Sequence, residues 1–149
     1  MERLKGSNPT VTKLRKFEQT NGTVMHGLKV TESSYVDFGE AYFSSIDFQK
    51  IKGWKLHKKM TLNLIVACGE IRFIVHAGEV KKGSTKVNPL LDVVLGDCNH
   101  CRLTVPPGFW LAFQGVGLGK NILLNIASIE HDPKESINVS LDSFNVNNF

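Results

Sequence analysis

Five lysines, Lys50, Lys52, Lys55, Lys58 and Lys59, crowd into ten residues around a single histidine, His57. Histidine is the side chain whose ordinary pKa lies nearest neutrality, so it can take up and return a proton under working conditions. On an extended strand residues two apart share a face, so Lys55 points the same way as His57 if this run is a strand. Two or three of these cations suffice to hold a small, doubly anionic ligand such as a nucleotide diphosphate. The plainer reading is a set of solvated strand ends that aid solubility. Nucleic acid is not the expected partner, because the aromatic-interleaved and helical groove-reading signatures are missing.

Two other groupings carry less. Cys98-Asn99-His100-Cys101 offers soft metal ligands, but no second ligand pair stands at finger-like spacing, so a structural turn is expected. Gly115, Gly117 and Gly119 mimic a dinucleotide fingerprint. A strand rather than a helix follows them, so the phosphate-binding helix N-terminus is absent and a hairpin loop is expected.

The elements that must position these residues are short strands. Glycines punctuate runs rich in β-branched and aromatic residues at hairpin spacing, and strands are expected at 24–30, 39–46, 51–57, 61–68, 70–75, 91–95, 101–105, 110–113 and 122–129. Ile71, Phe73 and Val75 share one face of theirs, and Arg72, Ile74 and His76 the other. No stretch keeps a 3.6-residue apolar period long enough for a helix. Strands of this rhythm without helices predict a sandwich or barrel.

The 149 residues suit one domain with a core at about 22–130, with the Asn- and Ser-rich end from Asp142 fraying or lying over the barrel. No apolar run reaches the roughly 18 residues of a membrane span. The first residues lack the apolar core of a secretory signal, which predicts a cytoplasmic protein with no membrane partner. Three cysteines, which cannot all pair within the chain, suit a reducing compartment. The Asn138-Val139-Ser140 sequon therefore carries no expected role.

Two segments resemble the halves of a cupin core. They are Gly53-Trp54-Lys55-Leu56-His57 with Leu62 and Gly69, and Pro106-Pro107-Gly108-Phe109-Trp110-Leu111. The resemblance implies an all-β fold, the double-stranded β-helix or jelly-roll barrel. The four metal-ligand positions of metal-binding cupins fall on Lys55, His57, Leu62 and Leu111. Only one of these can bind a metal, which implies a protein with no metal and no cofactor.

Among cupins without metal, Lys52-Gly53-Trp54-Lys55-Leu56-His57-Lys58-Lys59-Met60 resembles a run of the dTDP-sugar 3,4-ketoisomerases. Val105-Pro106-Pro107-Gly108-Phe109 resembles a turn of the dTDP-4-dehydrorhamnose 3,5-epimerases. Gly39-Glu40-Ala41-Tyr42-Phe43-Ser44 and Leu124-Asn125-Ile126-Ala127 are similar to runs in short epimerase-like proteins of sugar-biosynthesis clusters.

The resemblance implies a homodimer that uses part of residues 10–46 and acts on a keto-sugar nucleotide as an epimerase or ketoisomerase. The alternative is a non-catalytic cupin that binds carbohydrate or modulates an enzyme. The family's acid–base pair does not carry over: its base falls on Lys55, its tyrosine acid on Asn125 and a further histidine on Leu111. Proton abstraction beside a ketone needs a base, a group to stabilise the enolate and an acid. His57 is the expected base and Lys55 a second base or enolate cation, with Tyr42 and Glu40 as candidates for the missing acid. Lys52 is expected to hold a phosphate or sugar oxygen, and Asn63 and Asn125 to be neutral donors to the substrate.

Overall fold

A computed structural model describes residues 7–78, 88–147 and 149, and it is a sandwich of two five-stranded antiparallel sheets. The strands in chain order are β1 (Thr10–Lys13), β2 (Lys16–Gln19), β3 (Gly22–Met25), β4 (Glu40–Ile46), β5 (Ile51–His57), β6 (Leu62–Cys68), β7 (Glu70–His76), β8 (Leu91–Gly96), β9 (Cys101–Val105), β10 (Trp110–Gly115), β11 (Asn121–Ala127) and β12 (Ser136–Asn138). The first sheet runs β1-β9-β6-β11-β4 and the second β12-β5-β10-β7-β8, while β2 and β3 form a separate hairpin. From β4 onward the chain changes sheet at every connection except β7 to β8, the winding of a jelly roll. The loop at Gly115–Gly119 accordingly crosses from one sheet to the other. It is not the hairpin loop expected for it.

The alternation read in the sequence builds the core. Ile71, Phe73 and Val75 of β7 are fully buried against Leu64, Val66, Leu103 and Leu123 between the sheets. The other face of the second sheet has a cover of its own. There Trp54, Ile74, Trp110 and Ala112 lie under Val139, Phe144, Val146 and Phe149, so the C-terminal segment lies over the barrel. Among the described residues no helix is long and apolar enough to cross a membrane.

The expectation for 24–30 was only partly met, since strand β3 stops at Met25. Strands β1, β2 and β12 were not expected from the sequence. Each is four residues or fewer and mostly exposed, so none shows an apolar face.

Candidate functional site

A cleft of about 290 Å³ opens between the inner faces of the two sheets. Its apolar lining is Leu62 and Leu64 from β6, Leu111 and Phe113 from β10 and Leu123 from β11. Against these walls stand Lys52, Lys55 and His57 from β5, Tyr42 and Ser44 from β4, Asn125 from β11 and Asn138 from β12.

Strand β5 presents three polar side chains to the cleft because it is bulged. Lys55 lies opposite Leu111 on β10 and Lys52 opposite Phe113, so three steps along β5 match two along β10. Simple alternation would put Lys52 on the face opposite Lys55 and His57. The extra residue turns it inward, while Trp54, next to Lys55, faces outward as alternation requires and is fully buried. Gly53 makes the bulge possible. Its φ is 140°, and a Cβ there would stand 2.5 Å from that of Ala112.

His57 is fixed through both backbone and side chain. Its carbonyl accepts from Gly108 N at 2.7 Å, which joins the two cupin-like segments at this residue. Its Nδ1 is hydrogen-bonded to Glu135 Oε1, so Nε2 is the nitrogen left for the cleft. Glu135 ends the 3-10 turn Pro133–Glu135, whose cap is the Asp132 carboxylate accepting from Lys134 N. Glu135 is 4% exposed, and its carboxylate accepts from Lys59 N at 3.0 Å and Met60 N at 3.3 Å. Burial pushes its pKa up, but the bonds from His57 and the two amides outweigh this and leave it below its ordinary value. A carboxylate held on Nδ1 orients the ring and stabilises the imidazolium formed when Nε2 takes a proton.

Tyr42 faces Asn125 directly across the β4–β11 ladder, and its hydroxyl accepts from Asn125 Nδ2 at 3.0 Å. Lys52 Nζ donates to Ser45 O at 2.7 Å and Ser44 Oγ at 3.2 Å, which ties the β5 rim to β4. Lys55 is half-buried, with its Cα opposite those of Leu111 and Asn138.

Of the seven residues expected at the site, the cleft gathers His57, Lys55, Tyr42, Lys52 and Asn125. Glu40 does not line it, for it lies at the first position of β4 opposite Ala127, beyond Tyr42. Asn63 is a plain correction. Leu62 and Leu64 occupy the inward positions of β6, so alternation turns Asn63 to the outer face. There it accepts from Thr104 Oγ1 at 2.6 Å and donates to Ser34 O at 3.0 Å. The sequence reading missed Glu135, Ser44 and Asn138, the last set aside as part of an unused sequon. The turn signal at Asp132-Pro133 was visible, but nothing local shows that Glu135 reaches a histidine 78 residues away.

Lys55, His57, Leu62 and Leu111, the four residues that the resemblance set at the ligand positions of metal-binding cupins, all line the cleft. Among the described residues no three His, Cys, Asp or Glu side chains converge. The Cys98–Cys101 segment is the turn into β9, with His100 Nε2 bonded to the His26 carbonyl.

No family model and no curated protein matches the sequence. Solved structures do match. A dTDP sugar isomerase from Desulfovibrio desulfuricans G20 superposes with a TM-score of 0.80 at 29% identity, over 93% of this chain and 86% of that one. A dTDP-4-dehydrorhamnose 3,5-epimerase from Sulfolobus tokodaii gives 0.76 at 19%, over 98% and 84%. A sugar 3,4-ketoisomerase from Thermoanaerobacterium thermosaccharolyticum, in complex with TDP, gives 0.71 at 19%, over 91% and 89%.

Proposed function

We propose that this chain, a cupin of the type shared by the dTDP-sugar epimerases and ketoisomerases, acts on a keto-sugar nucleotide by moving a proton beside the ketone. The observation that carries this reading is His57, held on Nδ1 by a buried carboxylate with Nε2 left for an apolar cleft. The cleft lies at the small end of ligand pockets, which run from about 300 Å³ upward. That suits a sugar ring inside, with the nucleotide diphosphate reaching out past the exposed Lys52.

His57 Nε2 takes the proton on the carbon next to the carbonyl, and the C–H electron pair passes into an enolate. The Lys55 ammonium stabilises the negative oxygen. Tyr42, on the opposing sheet, returns a proton to restore the ketone. No metal or cofactor enters the step.

The protein works in the cytoplasm as a homodimer. Strand β4 is an edge of the first sheet, and Phe43 on it is 69% exposed. Phe17, Val24, Met25, Val36 and Phe38 are further exposed apolar residues within 10–46. A second copy covers this surface better than water does. Light scattering at micromolar concentration should give twice the chain mass, and a monomer would refute the dimer.

The test of the reaction is deuterium incorporation from solvent into dTDP-4-keto-6-deoxyglucose at carbons next to the ketone. Binding without incorporation would leave only a carbohydrate-binding protein for that substrate. Loss of incorporation on chelation, restored by one divalent metal, would overturn the metal-free mechanism.

A further inference from the structure

Apart from Tyr42, the cleft-wall residues around Asn125 (Leu62, Leu64 and Leu123) are apolar. It is 1% exposed. Its Nδ2 donates to the Tyr42 hydroxyl, while its Oδ1 is buried with no hydrogen-bond partner among the described residues. An amide with one end unsatisfied is a poor choice for packing, and a leucine would fill this site at lower cost. Tyr42 stands on an edge strand and is 44% exposed, so its ring is not held by burial.

We propose that Asn125 is a positioning residue that acts through Tyr42. The inference rests on the proton-transfer reading above. The amide N–H engages a lone pair of the phenol oxygen and fixes that oxygen at the cleft wall. The hydroxyl proton is then directed away from Asn125, toward the space the sugar fills. Placement of this kind matters because a misplacement of about 1 Å at a reacting group can cost on the order of 100-fold.

Three variants and one spectrum test it. Asn125→Leu removes the tether and the unsatisfied oxygen together, so it should fold at least as well as the wild type. Its deuterium-exchange kcat into dTDP-4-keto-6-deoxyglucose should fall about 10- to 100-fold with KM little changed. In a Tyr42→Phe background the same substitution should cost nothing more, because the tether then has nothing to hold. Asn125→Asp keeps the shape but can only accept, so it captures the Tyr42 proton and should lose kcat as well.

The chain has two tyrosines, Tyr35 and Tyr42, so ring-¹³C-tyrosine NMR gives one phenol signal for each. Asn125→Leu should move the Tyr42 signal and leave that of Tyr35 in place. An unmoved Tyr42 signal, wild-type kcat in Asn125→Leu, or independent losses in the double variant would each overturn the proposal. The spectrum needs no substrate, so an inactive wild type would sink the reaction while leaving the tether to be judged by NMR.

Discussion

Strands β4 and β5 face each other across the cleft and are built in opposite ways. β5 is interior, paired with β12 on one side and β10 on the other, and Trp54 behind it is sealed in an aromatic cluster. Trp54 Nε1 donates to Leu141 O, and Phe144 lies 4.8 Å from both the Trp54 and His76 rings. β4 is an edge, with Phe43 facing solvent and Tyr42 half-open. The proposed base therefore stands on the wall with the most support. The proposed acid stands on the wall that depends on one amide and, if the dimer forms, on a second subunit. A base that must receive a proton at one point gains from a rigid mount, whereas an open edge leaves a way in for the substrate.

Substitutions on the two walls should separate these roles. His57→Asn keeps polarity and a donor for Glu135 but removes the base, and exchange should fall by roughly two to four orders of magnitude with the melting temperature nearly unchanged. An active wild type that kept its full rate in this variant would place the base elsewhere. Lys55→Met keeps the stem and removes the charge. If the ammonium stabilises the enolate, kcat should drop about 10²- to 10³-fold, as for other preorganised donors, and an unaltered kcat would relegate Lys55 to the wall.

Behind β5, Phe144→Ala should lower stability by about 2–3 kcal/mol, below the usual range for a fully buried phenylalanine because Phe144 is only partly so. Urea unfolding measures this, and a loss under 0.5 kcal/mol would show the cover to be dispensable.

The smallest effects are those of pH. Glu135 is held below its ordinary 4.5 in the folded protein. Its contribution is present above its unfolded value and lost as pH falls through the folded one, so Glu135→Gln should flatten the stability curve below about pH 4.5. His76 is buried with neither ring nitrogen bonded among the described residues, and burial lowers its pKa from 6.5. The folded state favours its neutral form, so this stability is complete above 6.5 and declines as pH falls toward the lower folded value. His76→Phe should remove that decline, and a curve identical to the wild type's would refute its origin.

The strands that build the core were legible because each has one dry face. Ile71, Phe73 and Val75 announce β7, and the same rule puts Lys55 beside His57. Applied to β6 it would have sent Asn63 outward, since leucines flank it on both sides. Lys52 entered through a resemblance to a known motif, and simple alternation contradicts its position. Only the pairing of β5 with β10 reveals the added residue that brings it in. Glu135 was beyond local reading, because its role arises when the chain returns from β11 to lay β12 beside β5. β1, β2 and β3 are mostly exposed, and their pairing left little trace in sequence pattern.

The bulge at Gly53 has a consequence for how such a site can change over time. Point substitutions alter one cleft residue each, and every one can be tried separately. Deletion of Gly53 would restore simple alternation along β5 and, with the strand held at His57 by Gly108 and Glu135, would leave Lys52 two places before Lys55 and still opposite Phe113. A residue added beside Gly53, with no second bulge to absorb it, would instead turn everything before it to the other face. Lys52 would then leave the cleft and its bonds to Ser44 and Ser45 in a single genetic event. The length of this strand is thus a coarse control on substrate range and its side chains a fine one, so a lineage can shed or regain its rim cation without touching the base.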